Sequence, residues 1–167
     1  DIAAAEVVRN IDLAGYPRPH GVEWLDETRA VVTAEDNRAL ILVSVETGEV
    51  LQAIDTDQDL SHMVALDRGS KRAYVTNIGS GSLTVLDLDR GERTRNIETG
   101  EGAEGIAVAA SGTQIWVTNR GADTLTVAPT PGLEIVAEGG GGGLDRLNVE
   151  VPDSLALVQS VDLLSAP

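Results

Sequence analysis

The stretch "RAYVTNIGSGSLTVLDL", residues 72–88, decides the fold that the sequence predicts. Two short runs in which apolar and polar residues alternate, "RAYVTN" and "SLTVLDL", are separated by "IGSG". Alternation with a period of two is typical of strands, and glycine and serine between two such runs indicate a tight turn. The stretch therefore predicts a β-hairpin.

The same hairpin recurs on both sides of this stretch. Its first strand reappears as "RAVVTA" at 29–34 and "QIWVTN" at 114–119. Each copy follows a short strand that begins at His20, His62 or Glu104, positions that lie 42 residues apart. In the first unit the pattern predicts four strands, near 20–25, 29–35, 39–46 and 49–55. Four strands in a period of about 40–50 residues are typical of propeller blades.

The repeat predicts an all-β fold, a β-propeller built of four-stranded antiparallel blades. Residues 1–128 form the blades, about three of them complete and one shared or incomplete. Residues 129–167 hold the last blade strand at 132–138, a glycine linker at 139–143 and a ring-closing strand at 154–164. Because residues 1–12 align with the fourth strands of the repeat, we expect them to pair with a distant segment or with another chain.

Three or four blades do not show how the propeller ring is closed, and three arrangements are compatible with this number. The chain forms a small closed ring, is a fragment, or completes one ring together with a second chain. We favour the last two, because one blade cannot bury both of its faces and half a ring exposes apolar surface at each end.

The net charge limits the partners. The 167 residues include 27 acidic and 12 basic side chains, for a formal charge of −15. Phosphates and anionic membrane surfaces require cationic protein surfaces, so nucleic acid and membrane insertion are not expected. The chain has no cysteine, which excludes disulfides and thiolate metal sites. It opens with "DIAAAEVVRN", which does not have the pattern of a signal peptide.

The motifs "RAYVTNIGSGSLTVLDL" and "QIWVTNRGADTLTV" resemble the YVTN β-propeller repeat of surface-layer-type and YncE-like bacterial and archaeal proteins. The resemblance covers roughly residues 1–128. It is weakest in the first unit, where Val31 and Ala34 stand in place of the aromatic residue and the asparagine. It implies a propeller fold and a periplasmic, secreted or cell-surface location.

His20, His62 and Glu104 are the candidate site residues, because they occupy one repeat position at the start of the innermost strand. Equivalent positions of neighbouring blades lie on one ring, the axial rim. Two imidazoles and a carboxylate suit zinc or a similar divalent metal ion, and they also suit acid–base chemistry. A plain polar position at a wet channel mouth explains the same residues. At such a rim we expect His62→Asn to change stability by no more than about 0.5 kcal/mol.

The function that the resemblance implies is an exported binding or scaffold module that holds a small ligand or a protein partner at the axial rim. One alternative is a propeller enzyme of the lactone hydrolase or lyase type, with His20, His62 and Glu104 as its active groups and a divalent metal ion as its cofactor. Another is a structural cell-surface repeat protein. A second chain that completes the propeller is a further expected partner.

Other prominent residues are given structural roles. We expect Trp24, Tyr74 and Trp116 to pack between blades. Asn77 and Asn119 are expected to bond to local backbone after the second strand of their units. The acidic stretch "EDNR" at 35–38 lacks the spacing of a calcium loop and is interpreted as a solvated turn.

Overall fold

The computed structural model describes residues 3–129, except 14, 68, 70, 111 and 113, together with residues 146–149. This part of the chain contains one 3-10 turn, Glu35–Asn37, and twelve strands: β1 (Pro19–Trp24), β2 (Arg29–Ala34), β3 (Ala39–Ser44), β4 (Val50–Asp55), β5 (Ser61–Asp67), β6 (Arg72–Asn77), β7 (Ser82–Asp87), β8 (Glu92–Glu98), β9 (Ala103–Val108), β10 (Gln114–Asn119), β11 (Thr124–Pro129) and β12 (Arg146–Val149). The predicted all-β class and the four strands of the first unit are confirmed. The described residues include no helix that is long and apolar enough to cross a membrane.

The strands form three four-stranded sheets: the first blade is β1–β4, the second is β5–β8 and the third is β9–β12. Neighbouring strands are antiparallel except for β11 and β12, which pair in parallel. In the third blade β12 thus takes the outer position, for which we had predicted residues 132–138. Those residues, the glycine run and the ring-closing strand at 154–164 lie outside the described residues.

The blades pack face to face around their first strands. β5 lies against both β1 and β9, so the first strands converge while the outer strands diverge. Two apolar clusters fill the two junctions. The first joins Val31, Leu40 and Ile54 of the first blade to residues of the second, Val64, Ala73, Val75 and Leu86. The second joins Tyr74, Leu83 and Ile97 to residues of the third blade, Ala103, Ile115 and Val117.

The aromatic residues divide between buried and exposed positions. Tyr74 is buried in the second junction, as predicted, and Trp116 at the same repeat position is half-buried. The prediction for Trp24 is wrong, because its side chain is 52% exposed. Trp24 lies on β1, and no blade among the described residues covers this face of the first blade.

Residues 3–12 do not form the strand that we predicted. Within this range the structure has no strand, and Val7 and Val8 are largely exposed. Arg9 instead donates hydrogen bonds to the carbonyl oxygens of Val45 and Glu46, in the turn between β3 and β4. A strand requires hydrogen bonds to a neighbouring backbone edge, and these bonds of Arg9 are made by its side chain.

The turn between β1 and β2 is closed by Asp26. Its carboxylate accepts hydrogen bonds from the Arg29 side chain and from the backbone N–H groups of Thr28 and Arg29. The Arg29 hydrogen bond and then the Thr28 N–H lower the pKa of Asp26 from 3.8 to about 2, because both favour the charged form. The turn therefore keeps its charged acceptor down to strongly acidic pH.

Asn77 bonds to the backbone of its own hairpin, as predicted, but the prediction is wrong for Asn119, which bonds to hydroxyl groups of its hairpin and to the backbone beyond another blade. The Asn77 side chain donates to the Val75 and Ser82 carbonyl oxygens. The Asn119 side chain donates to the Thr99 carbonyl oxygen, which belongs to the loop that follows the second blade. These two asparagines therefore hold both the hairpins and a junction between blades.

A serine accounts for a difference between these asparagines. Ser61 Oγ donates to Asn77 Oδ1 at 3.1 Å, and the strand pairing places Ser61 opposite Asn77. Ala103 lies opposite Asn119 in the same register, and it has no hydroxyl group to donate. Asn119 Oδ1 is buried without a hydrogen-bond partner among the described residues.

We expect Ala103→Ser to raise the free energy of unfolding by about 0.5–1 kcal/mol, because the new hydroxyl can donate to Asn119 Oδ1. The matched change Ser61→Ala should lower it by about 1–2 kcal/mol, because it leaves Asn77 Oδ1 buried without a donor. Urea unfolding of both variants and the parent measures the two effects. A destabilising Ala103→Ser would contradict this account of the unpaired oxygen.

Candidate ligand site at the axial rim

The candidate residues stand in β-bulges. In each first strand two residues lie opposite one threonine of the second strand, since the register shifts between Pro19 and Val22 and at the equivalent places in β5 and β9. The two-residue pairs are His20–Gly21, His62–Met63 and Glu104–Gly105. A bulge twists its strand and changes the direction of the side chains it carries. The bulges therefore set where the candidate side chains point.

The threonine opposite each bulge joins neighbouring blades, in an arrangement that we call the threonine bridge. Thr33 Oγ1 accepts a hydrogen bond from the Gly21 N–H at 2.7 Å and donates one to the His62 carbonyl oxygen at 2.5 Å. Thr76 Oγ1 accepts from the Met63 N–H and donates to the Glu104 carbonyl oxygen at 2.7 Å. The bridge thus holds the backbone of the next candidate residue in place.

Gly21 brings the first two blades close together. A Cβ atom on Gly21 would lie 2.7 Å from the His62 carbonyl oxygen and 3.0 Å from Met63 Cα. These are backbone atoms, which cannot move away without displacing β5. Met63 carries a side chain at the same repeat position, so the close approach of the blades, rather than the bulge conformation, requires glycine in β1.

The two histidines lie in contact at the first junction. The imidazole rings of His20 and His62 have centroids 3.7 Å apart and planes tilted by 32°. His62 Nδ1 lies 2.6 Å from Glu35 Oε1, a short hydrogen bond between two buried side chains. Glu35 also forms an ion pair with Arg18, whose Nη2 lies 2.7 Å from Oε2.

Glu104 lies on the other side of His62. Its Oε1 is 3.7 Å from His62 Nε2, too long for a direct hydrogen bond. Arg120 lies 3.4 Å from the Glu104 carboxylate. The rim thus carries a central histidine pair, a carboxylate on each side and an arginine beyond each carboxylate.

The structure brings all three predicted site residues together. The expectation that His62 is a solvent-exposed side chain at a wet channel mouth is wrong. His62 is only 8% exposed, since His20 and Glu35 pack against it. Its imidazole is held in one orientation by the bond to Glu35. Replacing His62 therefore removes a buried hydrogen bond, which a surface substitution does not do.

Sequence reasoning missed Glu35, which we had interpreted as part of a solvated turn. Asp36 beside it is exposed, but Glu35 is 5% exposed. The feature of the sequence that could have placed Glu35 at the rim was the predicted hairpin of β1 and β2. Antiparallel pairing of β1 with β2 places Pro19 opposite Ala34, so the residue after Ala34 lies at the rim beside His20.

Three of these side chains can act together as metal ligands. One ligand atom each from His20, Glu35 and His62 lie within 4.8 Å of one another. Two imidazole nitrogens and one carboxylate oxygen are the ligands of many catalytic zinc sites, in which water takes a fourth position. Glu104 is outside this set and faces it from the next blade.

Comparison with known proteins identifies the fold. No model of a protein family matches the chain, and no curated protein matches it. Among solved structures, hydrazine synthase from Kuenenia stuttgartiensis is 19% identical with a TM-score of 0.64, over 75% of this chain and 36% of that one. The WD40 β-propeller domain of Doa1 is 14% identical with a TM-score of 0.64, over 73% of this chain and 39% of that one.

The fold is a β-propeller. The three four-stranded blades, joined through their first strands, match these structures although few residues are identical. The chain spans less than two-fifths of the length of either structure. At such low identity the likeness describes the architecture alone.

Proposed function

We propose that this β-propeller is a binding module that holds a divalent transition-metal ion of the zinc class at its axial rim. The observation that carries the proposal is the convergence of His20, Glu35 and His62, whose ligand atoms lie within 4.8 Å of one another. The ion would leave a coordination position toward the open rim for water or a small ligand.

The surroundings of the three ligands support a transition metal. Imidazole nitrogen favours zinc and its neighbours over calcium and magnesium, which prefer a shell of oxygen ligands. Arg18 pairs with Oε2 of Glu35, whereas Oε1 lies 2.6 Å from His62 Nδ1, on the side of the ligand cluster. A protein of formal charge −15 also attracts cations to its surface.

The family and the location remain parts of the proposal. The recurring Val-Thr-Asn strands and their glycine turns support a YVTN-type, YncE-like propeller, and that family implies export to the periplasm or cell surface. In this setting the bound ion would hold a small ligand or a protein side chain at the rim. A structural cell-surface repeat protein, the other function that the resemblance implies, would have the same β-propeller scaffold.

Titration with Zn²⁺ by calorimetry, and with Co²⁺ by its absorption spectrum, tests the proposal. We expect one ion per chain and a loss of affinity of at least about tenfold in His62→Asn and Glu35→Gln. Asp36→Asn is the matched control, because Asp36 is the exposed neighbour of Glu35 and pairs with the same Arg18. Equal affinity in all four proteins would place the ion elsewhere and overturn the site.

A second candidate function is acid–base catalysis without a metal ion. His62 Nδ1 is bonded to Glu35, while its Nε2 points toward Glu104 at 3.7 Å. A carboxylate that orients an imidazole leaves the other nitrogen available to take a proton from a bound substrate, as a lactone hydrolase or lyase requires. A panel of lactones, assayed with the parent and His62→Asn in the presence of a chelator, separates this function from metal binding.

A further inference from the structure

Glu104 is the member of the rim row that the proposed ligand set leaves unused. His20 and His62 belong to that set, whereas Glu104 holds the same repeat position in the third blade and lies outside it. Its Oε1 atom is 3.7 Å from His62 Nε2, and Glu35 bonds to the other ring nitrogen. The third blade therefore presents a carboxylate to the nitrogen of His62 that Glu35 does not use.

The two ring nitrogens of His62 differ in what they can bind. Nδ1 lies 2.6 Å from Glu35 Oε1, and Glu35 is itself a member of the ligand set. An ion held by both residues must lie between these two atoms, so His62 would bind it through Nδ1. Binding through Nε2 would place the ion on the other side of the ring, away from Glu35. The imidazole proton then belongs on Nε2, because a neutral imidazole carries one N–H.

Contacts from two directions limit where the Glu104 carboxylate can lie. The Glu104 carbonyl oxygen accepts the Thr76 hydroxyl at 2.7 Å, which is the threonine bridge from the second blade. The Arg120 side chain lies 3.4 Å from each of the two carboxylate oxygens. The Glu104 side chain is 35% exposed, so it still has room to move toward His62. An ionised carboxylate only accepts hydrogen bonds, which suits a ring nitrogen that carries a proton.

We propose that Glu104 is a positioning residue of the metal site, whose carboxylate accepts a hydrogen bond from the His62 Nε2–H while Nδ1 binds the ion. The inference rests on the proposed zinc-class site and extends it to a third blade. A histidine ligand that donates its second N–H to a carboxylate is fixed in tautomer and orientation, and its ligating nitrogen becomes more basic. In this chain the carboxylate comes from the repeat position that holds histidine in the other two blades.

The distances at His62 agree with this arrangement. In a tetrahedral zinc site with bonds of about 2.0–2.1 Å, two ligand atoms lie roughly 3.3 Å apart. Nδ1 and Glu35 Oε1 are now 2.6 Å apart, so an ion between them would separate them by about 0.7 Å. Movement of the ring away from Glu35 carries Nε2 toward Glu104, and an approach of about 0.5 Å reaches hydrogen-bond distance.

Nuclear magnetic resonance of the Zn²⁺ complex tests which nitrogen binds the ion. The chain has two histidines, so the spectrum of ¹⁵N-labelled imidazoles contains two rings to assign. We expect the His62 proton on Nε2, with an N–H signal that Glu104 protects from exchange with solvent. In Glu104→Ala this signal should be lost through faster exchange. A proton on Nδ1 of His62 in the complex overturns the proposal.

Zn²⁺ calorimetry measures what the carboxylate contributes to affinity. We expect Glu104→Ala to weaken binding at least about tenfold, as the loss of a partner behind a metal ligand does. Glu98→Ala is the matched control, because it removes the same charge from an exposed position on the outer strand of the second blade. Glu104→Gln keeps an acceptor oxygen and should lose less affinity than Glu104→Ala. Equal losses in these two variants would show that the charge alone acts, and would contradict the hydrogen bond.

The same titrations separate failure of this inference from failure of the metal site. Parental affinity in Glu104→Ala, together with the expected loss in His62→Asn, would overturn the role of Glu104 and leave the proposed site in place. A parent chain that does not bind Zn²⁺ would overturn both.

Discussion

Replacing Gly21 with alanine is expected to lower the free energy of unfolding by about 2–3 kcal/mol, because the added methyl group has no space between the first two blades. Its Cβ would lie 2.7 Å from the His62 carbonyl oxygen and 3.0 Å from both Met63 Cα and the Val64 backbone nitrogen. Relief requires β1 and β5 to move apart, which also lengthens the threonine bridge from Thr33 to His62. Urea unfolding measures the loss.

The same substitution at Gly105 is the control for Gly21→Ala. Gly105 holds the equivalent bulge position in the third blade. There the three atoms nearest to an added Cβ belong to the side chain of the exposed Thr118, with Oγ1 at 2.6 Å, and this side chain can rotate away whereas backbone cannot. We expect Gly105→Ala to cost at most about 1 kcal/mol. Equal losses at the two positions would mean that the bulge itself, and not the contact between blades, requires glycine. Gly21→Ala should also weaken Zn²⁺ binding, because it separates His20 from His62.

Replacing Glu35 with alanine is the second change for which we expect a large effect, a loss of about 2–3 kcal/mol in the free energy of unfolding. The substitution removes the partner of the buried His62 Nδ1 and leaves that nitrogen without a hydrogen bond. It also releases Arg18, whose side chain is mostly exposed and contributes little. Most of the loss therefore arises at His62.

Two further variants separate the hydrogen bond from the charge of Glu35. Glu35→Gln keeps an acceptor oxygen for His62 and should lose about half as much stability as Glu35→Ala. Asp36→Ala, on the exposed neighbour that also pairs with Arg18, should change stability by no more than about 0.5 kcal/mol. A similar loss for Glu35→Ala and Asp36→Ala would show that the bond to His62 contributes nothing.

The fold was largely predictable because it depends on local patterns that recur. Alternation in "RAVVTA", "RAYVTN" and "QIWVTN" predicts strands, and the four strands of the first unit were placed within about two residues of their observed limits. Within this chain the prediction failed for residues 3–12, which have the pattern of a fourth strand but form none. A pattern specifies the side-chain faces of a strand, but its hydrogen bonds depend on whether a partner edge is present.

The candidate site was predictable only in part, because its members come from different blades. His20, His62 and Glu104 were found through their common repeat position, which reflects the symmetry of the fold. Glu35 has no such counterpart, since its equivalent positions hold Ile78 and Arg120. Its burial depends on the side chain of His62 in the next blade, a contact between residues 27 positions apart.

The sequence by itself determined the strands, their grouping into blades and the row of residues at the rim, because each follows from a period of two or of about 42 residues. The tertiary structure alone decided which of these groups are buried, paired and close enough to share a ligand. Val22 and Val64 hold the same repeat position, yet one is exposed and the other buried. Burial depends on the blade that packs against a residue, and local sequence carries no information about that neighbour.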